Sequence, residues 1–421
     1  MGVFVPKWIL MVCFHLLTAF DMKNELSRFE TWMRKCSACG ACVDSCPSYL
    51  QKNGFSPRGR LILVRGMAEG EMEPGEAASA IATCLQCGRC DRVCPSHIPL
   101  NAIFFAARRV LKKYLPVSAS RRMLARVQLS KPKTIDFIQP LASIVHRAIG
   151  RGNGTRCKLP WQPFFAPSTD IMGGKRVLLY PGCLSRRFFP DLARACFDAL
   201  QKHGFRASII TELPCCGRPQ AMQGGNIAWS VKQSIAIMEE QKCELIASPC
   251  PGCVRTMKEI WPGLPDLSPE ERKVAKRLAE RIVEISSLLA ATMQDSFGLA
   301  SGQIAELYWH KPCLLESSTQ VERLIGARSN LRIQGPAGGK PACCGESLNC
   351  LGVSGSSKKT EDRLSASSRE LAINIVREAH SRGIRDIVTA CPGCMLALKN
   401  APGAHNISVR HCVEVYLYGR A

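Results

Sequence analysis

The 421-residue sequence lacks the loops that commonly bind nucleotides. No G-x-G-x-x-G follows a strand-like segment and no G-x-x-x-x-G-K-[ST] occurs, so no recognisable loop for NAD, FAD or ATP is present. It also lacks the run of about 20 apolar residues that a membrane-spanning helix needs. The apolar stretch from Trp8 to Phe20 is shorter, contains His15, and is not followed by a small-residue cleavage site. We interpret residues 1–21 either as an extension upstream of a start at Met22 or as a membrane-surface anchor.

Acidic residues are scarce, with 34 Asp and Glu against 56 Lys and Arg, for a formal net charge of +22. The excess is concentrated between Asn101 and Pro160, where thirteen basic residues accompany a single acid, Asp136. Such a segment can bind an acidic partner or an anionic membrane surface, or it can be a solvated connector. Because no aromatic-rich basic motif accompanies the charge, we expect no nucleic-acid partner. We expect a cytoplasmic protein, either free or peripheral at the cytoplasmic membrane.

Cysteine, by contrast, is abundant, with 24 residues in the chain. In a long chain without a cleavable signal, this number indicates metal ligation rather than a disulfide framework.

Two cysteine runs near the N-terminus have the spacing C-x₂-C-x₂-C-x₃-C-P, which is typical of two-cluster ferredoxins. Separated C-x₂-C pairs would be expected of zinc sites, so two [4Fe-4S] clusters are the favoured interpretation. In this pattern the fourth cysteine of each run binds the cluster of the other run. The predicted ligands are therefore Cys36, Cys39, Cys42 and Cys94 for cluster 1, and Cys84, Cys87, Cys90 and Cys46 for cluster 2.

The C-terminal part of the chain contains an internal repeat, in which a strand-end cysteine, a Cys-Cys-Gly motif and a Cys-Pro-Gly-Cys motif occur twice in the same order. Each copy offers five thiols. Because thiolates are soft ligands that select iron–sulfur clusters, a further iron–sulfur centre in these copies is the favoured interpretation. The alternative is that these cysteines are buried and unligated. The candidate ligands are Cys183, Cys215, Cys216, Cys250 and Cys253 in the first copy, and Cys313, Cys343, Cys344, Cys391 and Cys394 in the second. His310, beside Cys313, is expected to be packed or hydrogen-bonded rather than a ligand.

Apolar runs alternate with helical patterns in both copies, which predicts parallel or mixed sheets with the cysteines at the carboxyl ends of strands. Gly217 and Gly345 are expected to permit positive φ or a close backbone approach. The predicted fold class is α+β multidomain, with an α-helical ferredoxin domain followed by two α/β cysteine-rich domains. The predicted boundaries are 22–114 for the ferredoxin domain, 115–172 for a basic, proline-interrupted linker, 173–268 for the first repeat, 269–300 for a bridging helix and 301–421 for the second repeat.

From about residue 30 to the end, the chain resembles the iron–sulfur subunits of glycolate oxidase, with relatives in lactate utilisation and heterodisulfide reductase. Those proteins combine a two-cluster ferredoxin domain with two cysteine-rich CCG domains. The segments Ser56-Pro-Arg-Gly-Arg60 and Val409-Arg-His-Cys-Val-Glu-Val are similar to the glycolate oxidase branch in particular. The resemblance implies an electron-transfer subunit of a glycolate dehydrogenase type complex, with FAD on a partner 2-hydroxy-acid dehydrogenase subunit and a quinone-linked or other respiratory acceptor.

This sequence departs from the glycolate oxidase branch because both Cys250 and Cys391 are present, whereas that branch often lacks the first cysteine of each terminal C-x₂-C. All ten repeat cysteines are kept, as in the heterodisulfide reductase branch, which performs disulfide chemistry at its CCG clusters. A heterodisulfide-reductase-like subunit is therefore the alternative function.

Overall fold

The computed structural model describes residues 25–50, 55–115, 117, 122–123, 125–126, 173–210, 212–293, 305–327, 330–336, 342–346 and 358–419. These residues divide into two compact units, one containing both ferredoxin-type cysteine runs and the other containing both repeats. Most of the predicted basic linker lies outside the described residues, as do residues 1–21. No helix in the described ranges combines the length and apolarity needed to cross a membrane.

The N-terminal unit is helical, as predicted. Short helices carry the cysteine runs, and longer helices pack around them. The helices are α1 (Glu30–Arg34), α2 (Ala41–Asp44), α3 (Pro47–Leu50), α4 (Pro57–Glu69), α5 (Pro74–Ala82), α6 (Arg89–Arg92) and α7 (Leu100–Val110). Leu61, Val64, Ile81 and Phe104 are among the fully buried side chains of this unit.

Helix α4 has strong local signals at both ends. Ser56 caps it by accepting a hydrogen bond from the Gly59 amide at 3.1 Å, and Pro57 occupies the first helical position. Gly70 ends the helix in the left-handed conformation, with φ of +82°. These caps fix the start of the helix, and the first turn places Arg60 in the interior.

The second unit contains two four-stranded sheets in which every pairing is parallel. The first has the order β2-β1-β3-β4 and the second the order β6-β5-β7-β8. The strands are β1 (Arg176–Leu179), β2 (Arg206–Ile209), β3 (Leu245–Ser248), β4 (Ile282–Glu284), β5 (Ala305–His310), β6 (Leu331–Gln334), β7 (Asp386–Thr389) and β8 (Ser408–His411). The shared strand order is the structural counterpart of the repeated cysteine motifs.

Helices connect the strands and cover the sheets, as parallel crossovers require. They are α8 (Gly182–Phe188), α9 (Pro190–Lys202), α10 (Arg218–Met222), α11 (Ala228–Glu240), α12 (Pro251–Arg255), α13 (Pro269–Arg281), α14 (Ile285–Ala291), α15 (Thr319–Gly326), α16 (Lys358–Ser381), α17 (Pro392–Lys399) and α18 (Cys412–Tyr418). Of these, α10 from Pro219 onward and the first residues of α16 belong to the N-terminal unit. Leu178 of β1 pairs with Ile246 of β3, and Trp309 of β5 pairs with Val388 of β7.

The predicted bridging helix over 269–300 is wrong. Helix α13 ends at Arg281, and β4 follows immediately as the outer strand of the first sheet, pairing Val283 with Ala247. The three residues Ile282-Val-Glu284 continue an apolar pattern that also suits a helix, so sequence periodicity did not separate the two states. The first repeat therefore extends past the predicted boundary at 268, because β4 completes its sheet as β8 completes the second.

Candidate metal centres

Two cavities in the N-terminal unit are each lined by four cysteines. Cluster site 1 is lined by Cys36, Cys39, Cys42 and Cys94. Cluster site 2 is lined by Cys84, Cys87, Cys90 and Cys46. Each cavity thus combines three cysteines of one run with the fourth cysteine of the other, and this donor set fits a [4Fe-4S] cluster.

The two cysteine runs fold into turns of the same shape. Ala38 and Gln86, at equivalent positions between the first two cysteines, both have positive φ, at +60° and +53°. Gly40 and Gly88, directly after the second cysteine, have φ of +80° and +65°. Left-handed backbone at a non-glycine residue costs free energy and concentrates at functional sites. These turns direct successive thiols towards one point, and nothing in the residue types at Ala38 and Gln86 indicated them.

A buried arginine lies beside cluster site 2. The Arg60 guanidinium is 1% exposed and donates to the Ala80 carbonyl at 2.9 Å. It also donates to the Ser48 and Thr83 hydroxyls, each at 2.8 Å, and lies 3.6 Å from Cys46 Sγ. Burial alone would raise the pKa of the Cys46 thiol, but the Arg60 charge and the Ser48 hydroxyl bring that pKa below its usual value. Arg60 therefore favours thiolate at this position.

Cluster site 1 has a different environment. Its arginine, Arg58, is exposed and donates to the Ala38 carbonyl at 3.3 Å. Cys39 is exposed and Cys36, Cys42 and Cys94 are partly exposed, whereas all four thiols of cluster site 2 are buried. The two sites thus differ in both solvent access and nearby buried charge, which are two of the properties that set cluster potentials.

In the first repeat, the predicted thiols come together beyond the ends of β1, β2 and β3. Cys215 Sγ lies 3.8 Å from Cys183 Sγ. The neighbouring thiols of Cys215 and Cys253 lower the pKa of Cys216 to about 5. Backbone contacts hold this arrangement, since the Trp261 indole donates to the Cys216 carbonyl at 3.0 Å.

The second repeat brings together a histidine and three of its thiols, those of Cys344, Cys391 and Cys394. Cys344 Sγ lies 3.3 Å from Cys394 Sγ, and ligand atoms of His310, Cys344 and Cys394 all lie within 4.8 Å of one another. The Cys394 thiol, and to a smaller extent His310, lower the pKa of Cys344 well below its usual value. Cys343, which precedes Cys344 in the sequence, is also buried, and Cys313 is partly exposed.

The two Cys-Pro-Gly-Cys turns meet across the repeats. The pKa of Cys250 is lowered by the Cys253 thiol and also by Cys391, while Cys250 raises the pKa of Cys391. Each turn also packs against a leucine of the other repeat. A methyl group added at Gly252 would lie 3.5 Å from Leu314 Cδ1, and one added at Gly393 would lie 3.8 Å from Leu184 Cδ1.

Comparison with protein families agrees with this architecture. The family model described as a 4Fe-4S dicluster domain matches residues 32–98. The model described as a cysteine-rich domain matches twice, over residues 177–258 and 308–399.

Two curated relatives align along nearly the whole chain. The probable glycolate oxidase iron–sulfur subunit of Bacillus subtilis (strain 168) is 25% identical over 91% of this chain and 93% of its own length. The glycolate oxidase iron–sulfur subunit of Escherichia coli (strain K12) is 26% identical over 92% of this chain and 94% of its own. Along nearly its whole length, the chain is similar to glycolate oxidase iron–sulfur subunits. Lactate utilization protein A of Halalkalibacterium halodurans is 24% identical over 52% of this chain.

In this chain, the Cys-Cys-Gly glycines have the conformation predicted from the sequence. Gly217 and Gly345 have φ of +87° and +77°. At Gly217 the backbone also approaches Ile227 closely, because an added methyl group would lie 2.9 Å from Ile227 Cβ. A side chain at that position would therefore disturb the loop that presents Cys215 and Cys216.

The cysteines outside the motifs are mostly core residues where they are described. Cys196, Cys243 and Cys412 are buried. Cys13, Cys157 and Cys350 lie outside the described residues. Sequence reasoning missed the burial of Arg60 and the position of His310 beside two thiols. The apolar spacing of Arg60-Leu-Ile-Leu along a helix could have signalled the first, since Arg60 shares a face with Val64 and Met67.

Proposed function

We propose that this chain is the iron–sulfur electron-transfer subunit of a flavin-dependent 2-hydroxy-acid dehydrogenase complex, with glycolate as the substrate that is oxidised to glyoxylate. Electrons would pass from FAD on a partner subunit, through this chain, to a respiratory acceptor. The observation that carries the proposal is the pair of four-cysteine cavities, cluster sites 1 and 2, in a chain that aligns with glycolate oxidase iron–sulfur subunits over 91–92% of its length.

The division of labour follows from electron counting. Oxidation of a 2-hydroxy acid to a 2-oxo acid removes two electrons and two protons, whereas a [4Fe-4S] cluster carries one electron at a time. The sequence contains no recognisable flavin-binding loop. Substrate oxidation is therefore assigned to a flavin-bearing partner, and single-electron transfer to this chain.

The geometry of the helical unit suits a relay between two centres. Cys42 lies within α2 and lines cluster site 1, while Cys46, four residues further on, lines cluster site 2. The helix ends at Asp44, and even a fully extended segment of four residues spans at most about 14 Å. The two sites are therefore neighbours on one short segment of backbone, which favours electron transfer between them.

The repeat thiols are proposed as ligands of further centres. Cys183, Cys215, Cys216, Cys250 and Cys253 form an all-thiol group in the first repeat, and soft donors of this kind select iron–sulfur centres. Such a centre would lengthen the relay beyond the two ferredoxin-type clusters.

The alternative function, disulfide reduction of the heterodisulfide reductase type, is favoured by one observation. Cys250 and Cys391 are both present and interact across the repeats, so each repeat keeps its full set of thiols. If these thiols hold the reacting centre, their loss would abolish turnover rather than slow it.

Four single variants separate the relay from the reductase. In the complete complex, Cys36→Ser and Cys84→Ser are expected to abolish glycolate-dependent reduction of an external acceptor while flavin reduction by glycolate persists. Cys250→Ser and Cys391→Ser are expected to have modest effects. If instead the isolated cluster-containing chain reduces disulfides, and Cys250→Ser or Cys391→Ser abolishes that activity, the relay proposal is wrong.

A further inference from the structure

The two repeats differ at the residue three positions before their first cysteine. Tyr180 follows β1, three residues before Cys183, and His310 ends β5, three residues before Cys313. Tyr180 is buried, and its hydroxyl donates to the Pro214 carbonyl at 2.8 Å. The tyrosine is therefore satisfied by the backbone of its own repeat.

His310 occupies the equivalent place with a different environment. It is 2% exposed, and its Nε2 atom has no hydrogen-bond partner among the described residues. Burying a polar ring nitrogen without a partner is unfavourable, so such an atom in a native structure requires an explanation, and a bound ion is one. The thiols of Cys344 and Cys394 lie beside His310. Their sulfur atoms and a ring nitrogen of His310 are all within 4.8 Å of one another.

The sulfur separations are similar in the two repeats, at 3.3 Å between Cys344 and Cys394 and 3.8 Å between Cys215 and Cys183. The repeats differ in their donor sets, because His310 adds an imidazole where the first repeat has Tyr180. A mixed set of imidazole and thiolate donors suits a single tetrahedral ion.

We propose that His310, Cys344 and Cys394 bind one tetrahedral divalent metal ion, with zinc as the best match to this mixture of imidazole and thiolate donors. Buried Cys and His ligands in one group are typical of zinc sites. The second repeat would then hold a mononuclear ion, whereas the all-thiol group of the first repeat suits an iron–sulfur centre. In the part of the chain that the structure describes, no other group of three His, Cys, Asp or Glu side chains meets the same mutual distance.

The test is zinc content and zinc-edge X-ray absorption of the full-length protein purified anaerobically. About one zinc per chain is expected, with two sulfur neighbours at about 2.3 Å and a nitrogen at about 2.0–2.1 Å. Because this absorption edge reports zinc alone, iron in the ferredoxin-type clusters does not interfere. Activity is not the readout, so failure of this proposal leaves the proposed function untouched.

Three variants make the assignment specific. His310→Ala is expected to lose about one zinc per chain. His310→Cys is expected to keep the ion with a third sulfur neighbour. This variant remains informative if His310→Ala does not fold. His203→Gln is the control. His203 lies in the same unit but pairs with the Thr292 and Tyr416 hydroxyls, so zinc should be unchanged.

Three results would overturn the proposal. The first is wild-type protein without zinc. The second is zinc that His310→Ala retains with an unchanged absorption spectrum. The third is iron, rather than zinc, lost on replacement of His310.

Discussion

The buried charge of Arg60 should raise the reduction potential of the cluster in cluster site 2. Arg60→Gln removes that charge, while the amide can still donate to the Ser48 hydroxyl that Arg60 binds at 2.8 Å. A positive charge close to a cluster stabilises the added electron, so its loss lowers the midpoint potential. The direction is fixed by the sign of the charge.

The magnitude follows from the distance between Arg60 and the sulfur ligand. Two unit charges at the 3.6 Å separating Arg60 Nη1 from Cys46 Sγ interact with about 4.6 kcal/mol at an effective dielectric constant of about 20. The added electron is spread over the whole cluster, which reduces this to about 1–3 kcal/mol. For one electron that is roughly 40–130 mV.

EPR-monitored redox titration measures the shift directly. Arg60→Lys keeps the charge and should stay close to the wild-type potential. Arg58→Gln is the matched control at cluster site 1, where the exposed side chain is screened by solvent and should change the potential less. An unchanged potential in Arg60→Gln with both clusters assembled, or an equal shift in Arg60→Lys, would refute the electrostatic argument.

Three further predictions concern ligation, stability and docking. Cys94→Ser should damage the cluster in cluster site 1 and spare the other, which EPR would show; loss of the cluster in cluster site 2 instead would refute the crossed arrangement. Gly217→Ala should lower the free energy of unfolding by about 2–4 kcal/mol, because it combines positive φ with a clash against Ile227. Gly326→Ala, at an open helical position, should not, and equal denaturation midpoints would contradict this reasoning. The basic segment 101–160 should bind an acidic flavoprotein or an anionic membrane, and this association should weaken as salt is added. Association that does not change with salt would indicate that the segment is only a linker.

Much of the site could be predicted from spacing because the metal-ligand motifs are local. The position of Cys94 four residues after Cys90 predicts that it serves the other cluster, and the structure places it beside Cys36 rather than Cys84. Strand-end cysteines were also predictable, since parallel strands present their carboxyl ends at one edge. Whether these thiols bind clusters stays a prediction.

Contacts between segments that are distant in the chain could not be predicted from the sequence. His310 meets Cys344 and Cys394 only because β5 lies between β6 and β7 in the sheet, and no local motif links residues so far apart. Strand β4 was missed because three apolar-leaning residues after a helix carry no distinct period. Arg60 appeared as a charged residue of a helix, and only the packing shows it buried beside Cys46.

We propose that electrons from a hydroxy acid pass through both ferredoxin-type clusters. The most direct measurement is freeze-quench EPR of the complete complex. The complex is purified by capturing this chain and is then mixed anaerobically with glycolate. Signals of reduced [4Fe-4S] clusters at both sites should appear within one turnover, and the Cys36→Ser and Cys84→Ser complexes should each lack one of them. An acceptor reduced at the normal rate while both clusters stay oxidised would contradict the account.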